Sequence, residues 1–294
     1  MLLEQLLNGL TLGGIYAIVA LGFTLVFGVL DIINMAHGEI FMFGAFIGVV
    51  STDAWHLPIW AAFVAAMIVT ALLGYFLEIF ALRPLRKKKG VSHLASLIST
   101  IAVSIMLENL THQMFGSGNR PFRNSFAAAH VQVGPITIYV VQLVIFAISV
   151  LLMASLAYWL ARTKAGKALR ATAENREIAG LLGIHTRRMI TMTVVIASAM
   201  GGVAGVLVGM AFNSVNPEMG LSMGLKGLAI IILGGMGSVR GAMAGGLILG
   251  LSETFVVVYG HSGYKDAIAF IAIIMILLMR PQGLFGSNVS ETRR

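Results

Sequence analysis

Long apolar runs constrain this chain more than any other feature of its sequence. The clear ones are Leu6–Val29, Ile59–Leu82, Ile136–Ala161 and Ile190–Phe212. Ile33–Thr52, Leu94–Phe115 and Gly241–Tyr259 carry a polar residue or sit near the length limit, and Tyr264–Met279 and Leu225–Val239 are shorter still. A helix needs about 20 mostly apolar residues to cross the hydrocarbon core of a bilayer. A chain built this way is expected to fold as an all-α polytopic membrane protein. Composition removes the soluble alternative: 11% of residues are charged, where a soluble domain carries roughly 25%. The uncharged stretch Gln5–Leu30 lacks a basic start and is too long for a signal-peptide core, so it is expected to remain as the first membrane helix.

The formal net charge of +8 could point to nucleic acid, but its placement argues for a membrane surface instead. Of 20 Lys and Arg, five fall in Arg83–Lys89 and seven in Arg162–Arg188, each block lying between apolar runs. Such blocks mark cytoplasmic loops under the positive-inside rule and sit against anionic lipid. With both blocks inside, counting back through three spans puts the N-terminus outside. Counting forward, Arg280, Arg293 and Arg294 are inside only if the short, Gly-rich Leu225–Val239 crosses, so nine crossings are expected rather than eight. The whole chain, 1–294, then forms one transmembrane domain. Its longest stretches outside the membrane are a cytoplasmic loop at 162–189 and an external loop at 112–135.

Glycine is abundant, with 34 residues, and recurs at four-residue spacing in Gly9/Gly13, Gly44/Gly48, Gly201/Gly205/Gly209 and Gly237/Gly241/Gly245. That spacing lays a flat strip along one helix face and lets backbones approach closely in lipid. Gly28–Phe46 and Gly234–Leu249 each combine a Gly-rich break with an apolar run, a weak sign of a broken or re-entrant helix in each half.

Polar residues inside apolar runs need an explanation, since a charge at the bilayer centre costs about 2.5–3.5 kcal/mol on insertion scales. The densest set runs from Asp31 to Glu39. Asn34 is placed to cap a helix start, with His37 and Glu39 in the first turns that follow. Asn34, His37, Glu39, Glu108, Asn109 and Glu253 are candidates to border a translocation path, against the plainer reading that they pack and satisfy one another. Glu78 lies near Arg83 and is expected at the interface, and Lys226 and Arg240 are expected to snorkel to opposite interfaces. There is no cysteine, no second ligand at metal spacing from His37, and no nucleophile paired with a base, so neither metal nor cofactor is expected.

Lys164–Arg188 is the most informative polar segment. Residues 165–173 favour a helix, and Asn175 can cap a second short one that ends at a C′ glycine, Gly183. Ile178, Leu181 and Leu182 then share one apolar face, and Thr186 is placed to cap the next membrane helix. A short helix pair with an apolar stripe suits docking to a protein partner; an amphipathic loop on the lipid surface is the alternative.

Ala173-Glu-Asn-Arg-Glu-Ile-Ala-Gly-Leu-Leu-Gly-Ile184 resembles the ATPase-coupling motif of bacterial ABC importer permeases. Asn8-Gly-Leu-Thr-Leu-Gly13, Asn34-Met-Ala-His-Gly-Glu39, Leu233-Gly-Gly-Met-Gly-Ser238 and Arg280-Pro-Gln-Gly-Leu-Phe285 are similar to segments of the branched-chain amino acid permeases of the LivH family. The resemblance extends over about residues 5–286. It implies a heterodimer with a paralogous permease, two cytoplasmic ATP-binding subunits, a periplasmic substrate-binding protein, and a place in the bacterial inner membrane. It also implies that Ala173, Glu174, Ala179, Gly183 and Ile184 dock into the ATPase. The chain has no Gly-x-x-x-x-Gly-Lys-[Ser/Thr] loop, as befits a subunit driven by others. Urea or short amides are the nearest alternative cargo. An ion-coupled secondary transporter, with Glu108 and Glu253 as its membrane carboxylates, is the alternative of a different class, and it leaves the 173–184 segment without a role.

Overall fold

The computed structural model describes residues 2–87, 93–123, 126, 129–133, 136–260, 263, 265–280 and 282–286. Lys88 and Lys89 of the first basic block, Pro135, Tyr264, Pro281 and the terminal Arg293 and Arg294 lie outside the described residues. The chain is helical almost throughout. In order it forms α1 (Leu2–Leu30), α2 (His37–Asp53), α3 (Ile59–Leu77), a π turn (Glu78–Leu82), α4 (Arg83–Lys87) and α5 (His93–Phe115). After strands β1 (Arg120–Pro121), β2 (His130–Val133) and β3 (Ile136–Tyr139) come α6 (Val140–Arg162), α7 (Lys164–Glu174), α8 (Arg176–Leu181) and α9 (Thr186–Phe212). Strand β4 (Ser214–Val215), α10 (Met219–Gly234), α11 (Val239–Tyr259) and α12 (Lys265–Met279) complete the fold.

Among the described residues, six helices are long and apolar enough to cross a membrane. Three more apolar helices, α2, α10 and α12, have 17, 16 and 15 residues, or about 22–26 Å at 1.5 Å per residue. Each of the nine apolar runs therefore contains or overlaps a helix among the described residues, and the shortness of α2 and α10 has a geometric cause. His37 opens α2 beside Gly22 of α1, eight residues and about 12 Å before the end of α1. The chain turns back after Leu30 and re-enters the bundle before it becomes helical again. On the other side of the sequence, Gly220 and Gly224 at the start of α10 face Gly38 and Glu39, so α10 also begins in the interior. Residues 213–218, between α9 and α10, make the corresponding re-entry. The turn at Gly235 and Gly237, both with positive φ, lies instead at the level of Gly28 near the α1 terminus.

Most of α1 and α9 is buried, while α3, α5 and α6 face largely outward. The glycines of the two inner helices explain their position. A β-carbon at Gly44 of α2 would collide with Gly202 of α9, and one at Gly250 of α11 with Gly13 of α1. These backbones touch across gaps that no side chain can enter, which is the close approach the four-residue spacing implies.

The bundle has two distinct ends. At one, Thr137 donates to Glu4 at 3.2 Å, Gln142 bonds Asn8, and β1 pairs antiparallel with β4. Phe122 plugs this end against Gly48 and Gly209. At the other end lie the close of α1, the Arg83 block, α7 and α8, and the segment after α12, where Phe285 N–H donates to the Gly234 carbonyl at 2.9 Å. The described parts of both basic blocks thus share an end, opposite to the start of α1, as counting back through three spans requires.

Candidate functional site

Two regions carry the polar chemistry. The first is the interior where α2 and α10 begin. The Met35 N–H donates to Thr100 Oγ1 of α5 at 3.2 Å, which pins the non-helical entry to α2. Asn34 is buried, but it does not cap α2: the cap position is Ala36, and the Asn34 side chain has no hydrogen-bond partner among the described residues. Its backbone carbonyl takes that part instead, accepting from the His37 N–H at 3.2 Å. The His37 ring fills the notch at Gly22, edge-on to Phe23 at 4.8 Å, with the Val19 backbone beside it. Glu39 accepts from Ser104 at 3.3 Å through one oxygen. Its other oxygen occupies the space that a side chain at Gly220 would need, in the first turn of α10, where free backbone N–H groups favour an anion. Glu108 of α5 lies within electrostatic reach of Glu39. Asn109 is exposed on α5 and donates to the Ile105 carbonyl of its own helix at 2.8 Å.

Glu253 stands apart from that group. It accepts from Lys226 Nζ at 2.8 Å and from the Tyr16 hydroxyl at 2.7 Å, and Lys226 also donates to the Tyr16 oxygen at 3.0 Å. All three are buried, and together they join α1, α10 and α11. Lys226 therefore does not snorkel. α10 starts too deep for the side chain to reach water, and a neutralising carboxylate lies beside it. Glu78 is fully buried in the π turn at the foot of α3 and paired with Arg83 at 2.9 Å and with Arg86.

The second region is the α7–α8 pair. Thr163, just ahead of the helix-favouring stretch 165–173, caps α7 by accepting from Gly166 N–H at 3.0 Å. Asn175 caps α8 as expected, accepting from the Glu177 and Ile178 N–H groups at 3.0 Å each. Gly183 follows with φ of 82°, a left-handed C′ position that suits glycine. The start of α9 is not capped by Thr186, which is its first residue; His185 holds the cap position and makes no side-chain bond. Ile178, Leu181 and Leu182 stand 55%, 83% and 75% exposed on one face. Ala173, Glu174 and Gly183 are exposed around them, Ile184 is half-buried, and Ala179 is buried and holds α8 in place. On the inner side, the Arg176 guanidinium makes two hydrogen bonds to the Val29 carbonyl, at 2.7 and 3.2 Å. Burial lowers the Arg176 pKa, and the nearby Asp31 carboxylate pushes it back up.

A cavity of about 350 Å³ opens at the opposite end, between α1, α6, α9 and α11, with Asn8, Thr11, Gln142, Asn213 and Thr254 among apolar walls. No local sequence signal marks it, since its lining comes from four separate helices.

The family described as branched-chain amino acid transport system, permease component, matches residues 5–278. The permease protein BraD of the high-affinity branched-chain amino acid transport system of Pseudomonas aeruginosa is 38% identical, across 97% of this chain and 95% of its own. The corresponding LivH of Escherichia coli is also 38% identical over the same shares. The permease protein LivM of the same Escherichia coli transport system is 25% identical, over 93% of this chain and 68% of its own. No solved structure gives a significant match. With a match across nearly all its length, an all-helical membrane fold and those identities, the chain belongs to the branched-chain amino acid transport permease family.

Proposed function

We propose that this chain is one of two paralogous permease subunits of an ATP-driven importer that carries leucine, isoleucine and valine across a bacterial inner membrane. In this reading α7 and α8 face the cytoplasm and dock into one of two ATP-binding subunits. A periplasmic protein delivers the amino acid to the opposite end, where the chain begins. The observation that carries the reading is the exposed Ile178, Leu181 and Leu182 face, mounted on a helix pair capped at fixed points by Thr163, Asn175 and Gly183. An apolar patch held this rigidly at the end of a membrane bundle suits a protein partner better than lipid, which needs no fixed geometry. Family membership supports the same assignment.

Asn109 and Glu108 on the outward part of α5 assign a further surface. An exposed amide beside a half-buried carboxylate is costly against hydrocarbon, so α5 faces the second permease and the wet path between the two. Asn34, His37 and Glu39 support that path from behind, while Glu253 serves a buried ion pair.

The assembled importer in proteoliposomes provides the test. With binding protein and ATP, it accumulates radiolabelled leucine, and Glu174→Arg with Gly183→Val abolishes uptake while the chain still inserts. Uptake unchanged in that double variant would remove the docking assignment. Uptake by this chain alone, driven by an ion gradient, would remove the ATP-driven reading altogether.

A further inference from the structure

The end of α1 is held by a residue from the coupling pair, and this contact has a consequence for transport. The last carbonyls of a helix have no partner within it, and at α1 the Val29 carbonyl takes both of its hydrogen bonds from Arg176, the first residue of α8. One residue beyond the helix, Asp31 adopts φ of 55°, a left-handed conformation uncommon outside glycine, and its carboxylate lies within electrostatic reach of the same guanidinium. That residue begins the non-helical passage from which α2 starts in the interior. Arg86, paired with the buried Glu78 at the foot of α3, is also within reach of Arg176. A planar, always-charged guanidinium anchored on one carbonyl holds direction as well as distance.

We propose that Arg176 is the positioning residue that transmits movement of the α7–α8 pair to the α1–α2 break, and through it to the start of α2. The proposal rests on the reading of α7–α8 as the ATPase-docking pair. When α8 is displaced by its partner, Val29 is drawn with it, and the re-entrant segment 31–36 is the flexible joint that converts this into a shift of α2 against α10. Asp31 keeps the guanidinium oriented, and its strained backbone marks where the joint is forced.

The test uses the complete importer in proteoliposomes and reads two quantities, leucine imported and ATP hydrolysed. Arg176→Ala is expected to lower the leucine imported per ATP at least tenfold, with the ATPase still co-purifying in normal ratio. Arg176→Lys, which keeps one donor and the charge, is expected to recover part of that ratio. An unchanged ratio in Arg176→Ala would overturn the proposal, and so would loss of the ATPase from the complex, since Arg176 would then serve docking alone. Failure of wild-type protein to hydrolyse ATP with its partners would instead count against the importer reading. If Arg176→Ala does not assemble, a covalent strut decides. The chain has no cysteine, so Asp31→Cys with Arg176→Cys can be joined by a short bis-thiosulfonate linker. Coupling is expected with the linker intact and lost on reduction; equal ratios in the two states would sink the idea.

Discussion

Lys226 carries its charge into the interior of the bundle, and the residues around it explain how the chain tolerates that. Its Nζ meets a carboxylate oxygen of Glu253 at 2.8 Å, and Tyr16 closes the triangle by donating to the other oxygen. The lysine also lies over the Tyr16 ring, 5.2 Å from its centre. Breaking a buried pair leaves an uncompensated charge, so Lys226→Ala should lower stability by about 3 kcal/mol. Lys226→Met combined with Glu253→Leu removes both charges and should regain most of the loss. Thermal unfolding in detergent separates these outcomes, and equal losses in the single and double variants would show that the pairing contributes nothing. Close contacts between helices give a second residue-scale prediction. Gly202→Val would drive a side chain into Thr70 and the backbone of α3, costing about 1–3 kcal/mol by overpacking. Gly180→Ala, which meets open space on α8, should leave the melting point unchanged.

At the scale of the element, α8 has six residues and cannot hold itself together. An isolated helix of this length does not persist in water, so its order derives from its ends and from the Ala179 contact beneath it. Asn175 satisfies two N–H groups at the start, and Gly183 allows the chain to leave in a left-handed turn. Asn175→Ala should remove about 1 kcal/mol of local stability. Hydrogen exchange at the Glu177 and Ile178 amides should accelerate while the amides within α1 and α9 keep their protection. If those two amides exchanged at the wild-type rate, the cap would not be what orders the helix. The exposed stripe above it predicts a different effect: Leu181→Glu should leave the melting temperature intact and prevent the ATP-binding subunit from co-purifying. Retention of that subunit at wild-type level would place the docking surface elsewhere.

For the whole molecule, the two ends of the bundle are chemically distinct. One end carries the Arg83 block and the α7–α8 pair; the other carries the small β pairings and the cavity beside Asn8 and Gln142. A chain free of cysteine allows this polarity to be mapped directly. Gly180→Cys should react with an impermeant maleimide only when the cytoplasmic face is open, and Ser117→Cys should react in intact cells. Labelling of both from the same side would invert or dissolve the proposed topology. The central position of α1 and α9 also means that any shift of α2 must slide along α9, where Gly44 faces Gly202 and Gly205 faces the Phe41 carbonyl.

Much of this was legible in the sequence, because the bilayer imposes a length and a polarity that any spanning helix must show. The long apolar helices, the shared side of the two basic blocks, the short helix pair at 164–183 and the close-packed glycines all follow from local pattern. Each depends on residues within a few turns of one another. Where a partner came from a distant part of the chain, pattern could not reach. Local pattern makes Lys226 a snorkelling residue, but α10 begins in the interior beside Glu39, which brings Tyr16 and Glu253 to the lysine. Residue type suits Asn34 to a cap, but the chain bends before α2 and the cap position falls to Ala36. Arg176 read as one more basic residue in a cytoplasmic loop, and folding alone set its guanidinium on the Val29 carbonyl 147 residues away. Sequence determined which segments enter the membrane, since hydrophobic burial depends on composition and length; tertiary structure decided which buried polar groups meet, since that depends on where each helix starts and how closely its neighbours approach.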